Sequence, residues 1–184
     1  MSILPITVYG DKILREKAKP VEKIDDELIF TVRSMFETMH RASGIGLAAN
    51  QVNLDKRLFI VDVSVIEGLE HIKPVTMINP EIVEVSDQTV YFEEGCLSLP
   101  TLKAEVERPE IIKVRFLNLN EEIEEIEADD LFARVILHEY DHLIGKMIPD
   151  RVTPRLRKKL QKQLNAIMTR TVDVDYPITE RKLT

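Results

Sequence analysis

Cysteine is all but missing from these 184 residues, with Cys96 the single example, and tryptophan is missing altogether. A lone thiol makes no internal disulfide, so a disulfide-stapled framework is excluded, and a reducing, cytoplasmic location is the default expectation. Long apolar runs are missing too. None approaches the roughly 18 residues that cross a bilayer. The apolar-biased stretch Met1–Tyr9 has no charged lead-in and is cut by Pro5, so it does not read as a signal peptide. No membrane association is expected. Positive charge is short as well: 25 Lys+Arg stand against 32 Asp+Glu, a formal charge of −7. That balance argues against a general nucleic-acid coat and against DNA as a partner, while leaving room for a local basic patch. Internal repeats, linkers and low-complexity segments are absent. With 44% hydrophobic residues, the chain is expected to form one domain over residues 1–184, with 171–184 as a loosely held tail.

The elements that are present read as α+β. Asp25 or Asp26 caps a helix whose apolar residues Leu28, Ile29, Val32, Met35, Phe36 and Met39 recur at helical spacing to about Arg41. Asp11–Lys17 adds a short helical turn. Strands are expected at Arg57–Val63, at Val75–Val85 with a break near Asn79-Pro80, and at Gln88–Phe92 after a Ser86-Asp87 turn. Further strands are expected at Leu102–Arg108, Ile111–Leu117 and Glu122–Ala128, the last two joined through Asn118-Leu119-Asn120. Seven of the ten residues in Glu121–Asp130 are acidic, which suits an edge strand with its charges in solvent. A helix follows, apolar nearly all round and so buried, from about Leu131 to Leu143, with Gly145 and Pro149 marking its end. A last helix spans Pro154 to about Met168, with Leu156, Leu160, Leu164 and Ile167 as its stripe. The expected architecture is antiparallel or mixed sheets packed around the central helix, flanked by an N-terminal and a C-terminal helix.

That central helix carries the chemistry. His138 and His142 are four apart, hence on one helix face, where two imidazoles can grip one metal ion. Glu139 cannot share the grip but can reach the rim, where a water needs a proton acceptor. Two histidines do not complete a catalytic site, which usually takes three protein ligands. One class of H-E-x-x-H peptidase finds its third ligand in a later histidine, but Ile148 stands there, and Glu180 is the one glutamate downstream. His40 and His71 read as surface or loop residues. The remaining candidate is upstream: Cys96, inside Glu93-Glu94-Gly95-Cys96-Leu97-Ser98-Leu99-Pro100. A thiolate beside two imidazoles suits ferrous iron, zinc, cobalt or nickel.

A third stretch, Gly44-Ile45-Gly46-Leu47-Ala48-Ala49-Asn50-Gln51, matches the spacing of a dinucleotide-binding loop. It follows a helix instead of a strand, and too few residues separate it from the Arg57 strand for a crossover helix, so that reading is weak. Its small residues let a backbone pass close to a ligand, and the Gln51 amide can donate to an oxyanion.

GIGLAANQ at 44–51, EGCLS at 94–98 and HEYDHL at 138–143, in this order and spacing, resemble the peptide deformylases over most of the chain. The resemblance implies removal of the formyl group from the N-terminal formyl-methionine of nascent chains, with release of formate. It implies that Cys96, His138 and His142 bind one divalent ion, natively Fe(2+), which Zn(2+), Ni(2+) or Co(2+) can replace. It implies Glu139 as the proton carrier and Gln51 with the Leu97 backbone N–H as oxyanion donors. Ile45, Gly46, Leu97 and Leu99 would align the peptide, while Leu131, Arg134 and Val135 would face the methionine pocket, Arg134 packing its stem and sending its head to water. Glu94 and Arg108 would pair near the site, against the alternative of an ordinary surface pair, and Asp141 would either orient a ligand imidazole or sit on the helix surface. Leu137 departs from the family's usual glutamine, and altered packing is expected there.

Two other readings stay in view: an H-E-x-x-H endopeptidase, and a metal-stabilised binding module without catalysis. Separately, Arg151–Arg170 holds seven Lys/Arg and no acid. Docking to the ribosome through this helix is one reading; a solvated face is the other.

Overall fold

The computed structural model describes residues 2–180. Helix α1 (Asp26–Arg41) begins where the Asp25 carboxylate accepts the Leu28 N–H, satisfying one of the free donors of the first turn. Its buried face, Leu28, Val32, Met35 and Met39, packs on Leu47, Leu58 and Ile60. Burying a side chain of this size contributes about 1.5–3 kcal/mol.

Five strands form the main sheet: β1 (Gly46–Ala48), β2 (Leu58–Val61), β3 (Val75–Val85), β6 (Ile111–Leu117) and β7 (Ile123–Asp129), in the order β1-β2-β3-β6-β7. All their pairings are antiparallel. The break expected at Asn79-Pro80 is a bulge inside one strand. Asn79 takes a positive φ, the register shifts between Ile78 and Glu81, and the Asn79 side chain exchanges two hydrogen bonds with the Val21 backbone. Acidic β7 lies at the sheet edge with its glutamates outward.

The strands that follow the Ser86-Asp87 turn leave this sheet. β4 (Thr89–Gly95) pairs with β5 (Lys103–Pro109) as a separate two-stranded sheet, so β3 and β4 are neighbours in sequence only. Helix α2 (Asp130–Leu143) lies between the two sheets. Ala133 and Ile136 join Phe59, Val61, Met77, Val114 and Phe116 of the main sheet in one apolar cluster. Leu137 packs against this cluster. On the other side the Arg134 guanidinium donates to the Val106 and Val90 carbonyls of β5 and β4. After α2, Gly145 turns the chain at φ +73°, and an added Cβ there would meet the Arg15 carbonyl oxygen at 2.5 Å, so a side chain is excluded twice over.

Helix α3 (Pro154–Met168) is capped by the Thr153 hydroxyl and covers Val8, Leu14, Leu99, Leu102 and Val106 with Leu160, Leu164 and Ile167. The expectation of a loose tail from residue 171 differs from the structure over 171–180. There the chain returns along the N-terminal segment, bridging Ile178 to Ile6. Residues 181–184 lie outside the described residues. Among the described residues, no helix is long and apolar enough to cross a membrane.

Candidate metal centre

The two imidazoles meet edge to face on α2, ring centroids 5.0 Å apart, as four-residue helical spacing requires. The sulfur arrives from elsewhere. β4 ends at Gly95, and the loop after it delivers Cys96 Sγ to 3.2 Å from His142 Nε2. One donor atom from each of Cys96, His138 and His142 falls within 4.8 Å of the others. Three converging donors, one sulfur and two imidazole nitrogens, fit a divalent ion.

The two imidazoles sit in opposite electrostatic surroundings. Burial disfavours an imidazolium at both rings. At His138 interactions with neighbouring Cys96 and Glu94 outweigh it and raise the pKa well above the usual histidine value. At His142 burial wins, helped by the charge on His138, and the pKa falls well below. His142 therefore presents a neutral ring.

Glu94 orients His138: its Oε2 lies 3.0 Å from His138 Nδ1. Burial alone would raise the Glu94 carboxyl, but hydrogen bonds from His138 and Arg108 hold its pKa down at about 2. Arg108 donates through Nε (2.6 Å) and Nη2 (2.9 Å), and Arg134 Nη1 adds a third guanidinium contact at 3.1 Å. These side chains are buried, so the Glu94–Arg108 pair is no ordinary surface pair. Neither sequence expectation for Asp141 holds. It is buried and touches no ligand imidazole, receiving Arg108 Nη1 at 2.8 Å and an ion pair from Arg151 instead. Arg134 lines the cavity as expected, but its head does not reach water. It is 5% exposed, because the carbonyls of β4 and β5 and the Glu94 carboxylate bind it.

Of the residues to which the resemblance gives a role at the site, all except Arg108, Asp141 and His142 line one cavity of about 410 Å³. Glu139 is buried, and burial pushes its carboxyl up to about 7. Among the described residues its Oε2 finds no hydrogen-bond partner. Gly46 lies flat against it, since a Cβ there would come within 2.5 Å of Glu139 Oε1 and 2.7 Å of Val135 Cγ1. Gln51 Oε1 accepts the Ala48 N–H at 2.8 Å, which leaves Nε2 facing Ser98 Oγ at 3.1 Å and Cys96 Sγ at 3.6 Å. His40 and His71 take no part; His40 pairs with Asp62 at 2.8 Å.

Two participants had no sequence signal. Tyr176 lines the cavity and donates its hydroxyl to the Leu97 carbonyl at 2.8 Å. Burial, and then Cys96, raise its phenol well above the ordinary value, so it stays a donor. Arg151 reads from sequence as one of a run of basic residues, yet it holds Asp141.

The family model for polypeptide deformylases matches residues 3–158. The chain is 45% identical over 181 residues to the peptide deformylase of Pelodictyon phaeoclathratiforme, covering 98% of this chain and 96% of the relative. It is 47% identical over 167 residues to that of a Thermotoga species, covering 91% and 97%. Among solved structures, the Synechococcus elongatus peptide deformylase in complex with actinonin superposes with a TM-score of 0.81 at 42% identity, covering 87% of both chains. The Thermotoga maritima enzyme gives 0.77 at 45%, covering 84% of this chain and all of its own. A Cys-His-His centre on a shared α+β frame, matched along nearly the whole length of its relatives, has one meaning: this chain belongs to the peptide deformylases, metal-dependent hydrolases that remove the N-formyl group from nascent polypeptides.

Proposed function

We propose that the resident ion is Fe(2+), held by Cys96, His138 and His142, that zinc, nickel or cobalt can replace it, and that Glu139, Gln51 and Leu97 perform the hydrolysis of N-formyl-methionyl chains in the cytoplasm. The single observation that carries this reading is the meeting of a thiol from the β4–β5 loop with two imidazoles of α2, beside a buried carboxyl that lacks a partner among the described residues. When bound, the ion supplies a Lewis acid that polarises a carbonyl and makes water more acidic.

Everything else falls to the chain's own side chains. Glu139, with a pKa near 7, is poised to take a proton from the attacking water and return it to the departing amine. Gln51 Nε2 and the Leu97 backbone N–H hold the developing oxyanion; losing one such donor typically costs ~2.7–4 kcal/mol of barrier stabilisation. Ile45, Gly46 and the backbone of Leu97–Leu99 align the peptide as an added strand. Leu131, Val135 and the stem of Arg134 receive the methionine side chain. Glu94, Arg108 and Asp141 keep His138 in place.

The test is direct. Protein loaded with ferrous or nickel ion is given a formyl-methionyl peptide and formate is measured; turnover no higher than in the metal-free control rejects the reading.

As a second reading we propose that α3 docks on the ribosome, the alternative being a solvated helix face. Arg155, Lys158, Lys159 and Lys162 are exposed there and, among the described residues, form no ion pairs. Because Leu160, Leu164 and Ile167 are part of the core, charge reversal is a cleaner probe than truncation. Unchanged ribosome co-sedimentation of a K158E/K159E/K162E variant would discard it.

A further inference from the structure

Residues 171–180 lie beyond the segment matched by the family model. They are nevertheless tied down. The Ile6 N–H donates to the Pro177 carbonyl and the Thr179 N–H to the Ile6 carbonyl, both at 2.9 Å. Thr179 Oγ1 donates to Asp11 Oδ2 at 2.6 Å, and Arg170 forms an ion pair with the same aspartate. These anchors set the path of the segment so that Tyr176 reaches the cavity wall, with Gln51, Cys96 and Glu139 among the other lining residues.

The loop after Cys96 is pinned from three distant parts of the chain. The Tyr9 N–H donates to the Ser98 carbonyl at 2.9 Å. Gln51 Nε2 reaches Ser98 Oγ at 3.1 Å, and the Tyr176 hydroxyl reaches the Leu97 carbonyl at 2.8 Å. Two of these anchors act on Ser98. The Tyr176 bond acts on the residue whose N–H faces the reacting carbonyl in the reading above. A carbonyl held by a phenol restrains the ψ of its own residue, and with it the freedom of the N–H at the other end.

We propose that Tyr176 is a positioning residue of the deformylation site: its hydroxyl fixes the Leu97 carbonyl and so aims the Leu97 N–H, while its ring closes one side of the peptide cleft. This inference rests on the proposed role of Leu97. The C-terminal segment becomes part of the working enzyme, because it supplies one side of the cavity and one of the three anchors of the loop. An error of placement near the reacting atoms is amplified: displacements of about 1 Å can lower a rate on the order of 100-fold.

Tyr176→Phe keeps the ring and removes the bond. Its kcat on a formyl-Met-Ala-Ser peptide is expected to fall about tenfold with KM within about twofold of the parent. Hydrogen exchange at the amides of residues 97–99 is expected to speed up in metal-free and metal-loaded protein alike, with melting temperature and metal content held. Arg170→Ala, which releases the anchor on Asp11 and leaves Tyr176 intact, should shift kcat and exchange the same way. A Tyr176→Phe enzyme with parental kcat and parental exchange overturns the proposal, as does a kcat loss accompanied by an equal loss of metal or melting temperature. If the parent itself releases no formate, the assignment of Leu97 fails, while the exchange comparison still decides whether Tyr176 holds the loop.

Discussion

His138 Nδ1 lies 3.0 Å from Glu94 Oε2, which leaves the opposite ring nitrogen to face an ion. Arg108 and Arg134 crowd the same carboxylate, and Arg108 passes on to Asp141, which Arg151 holds from the far side. A chain of alternating charge therefore runs behind the metal centre from β4 to the start of the C-terminal helix.

Replacing Glu94 by glutamine keeps the shape and removes the charge that balances two guanidinium groups. Metal affinity is expected to drop about 10–100-fold, and folding stability by about 3–5 kcal/mol, because buried cations are left uncompensated. Chelator competition and denaturant unfolding measure the two effects separately. Parental affinity would show that His138 needs no such orienting partner.

The two buried glutamates impose opposite pH dependences on the metal-free protein. Glu94 is lowered from 4.5 to about 2, so its contribution is present above pH 4.5 and disappears as pH falls toward 2. Glu139 is raised from 4.5 to about 7, so its contribution is fully present below 4.5 and disappears as pH rises through 7. Each shift corresponds to roughly 3 kcal/mol. Thermal melts of metal-free protein should therefore lose stability on both sides, and Glu139→Gln should flatten the alkaline limb alone. An alkaline limb unchanged by that substitution would refute the raised pKa.

In the metal-loaded enzyme Glu139→Gln is expected to cut kcat by about 10²–10⁴-fold, the usual worth of a general acid–base, with metal content unchanged. Formate release alongside elemental analysis checks this. Retained turnover would favour a non-catalytic centre.

Cys96→Ala should lose the ion and the activity together, since it removes one of three ligands. A cobalt-loaded parent should show a thiolate charge-transfer band that the variant lacks. A variant that keeps its metal would mean the third ligand lies elsewhere, as in the endopeptidase reading.

Gly46→Ala tests the tightness of the cleft. The new methyl would stand 2.5 Å from Glu139 Oε1 and 2.7 Å from Val135 Cγ1, so both must move. A loss of kcat of at least about tenfold is expected, consistent with misplacement of the proton carrier, while the metal stays bound. Parental kinetics would show that Glu139 need not sit against β1.

Periodicity made most of the elements readable. The 3.6-residue spacing marked α1, α2 and α3 nearly to the residue, and Asn79-Pro80 marked a break that the structure shows as a bulge within one strand. Strand partnership was less legible: the Ser86-Asp87 turn resembles a hairpin, but β3 pairs with β6, because pairing depends on which faces must be buried and not on proximity in sequence.

The site divides along the same line. That His138 and His142 share a face is a property of any helix, so the residues alone determined it. The three motifs in their order were enough to identify the family. Which carboxylate serves His138 was decided by the tertiary structure, which chose Glu94 on β4 over Asp141 on the same helix. It also buried the head of Arg134 among the carbonyls of β4 and β5, and brought Tyr176 back from the far end of the chain to Leu97. Local spacing sets the direction of a side chain relative to its own element. What that side chain meets depends on how α2 sits between two sheets and on where the last segment crosses the first, and no local pattern of residues encodes either.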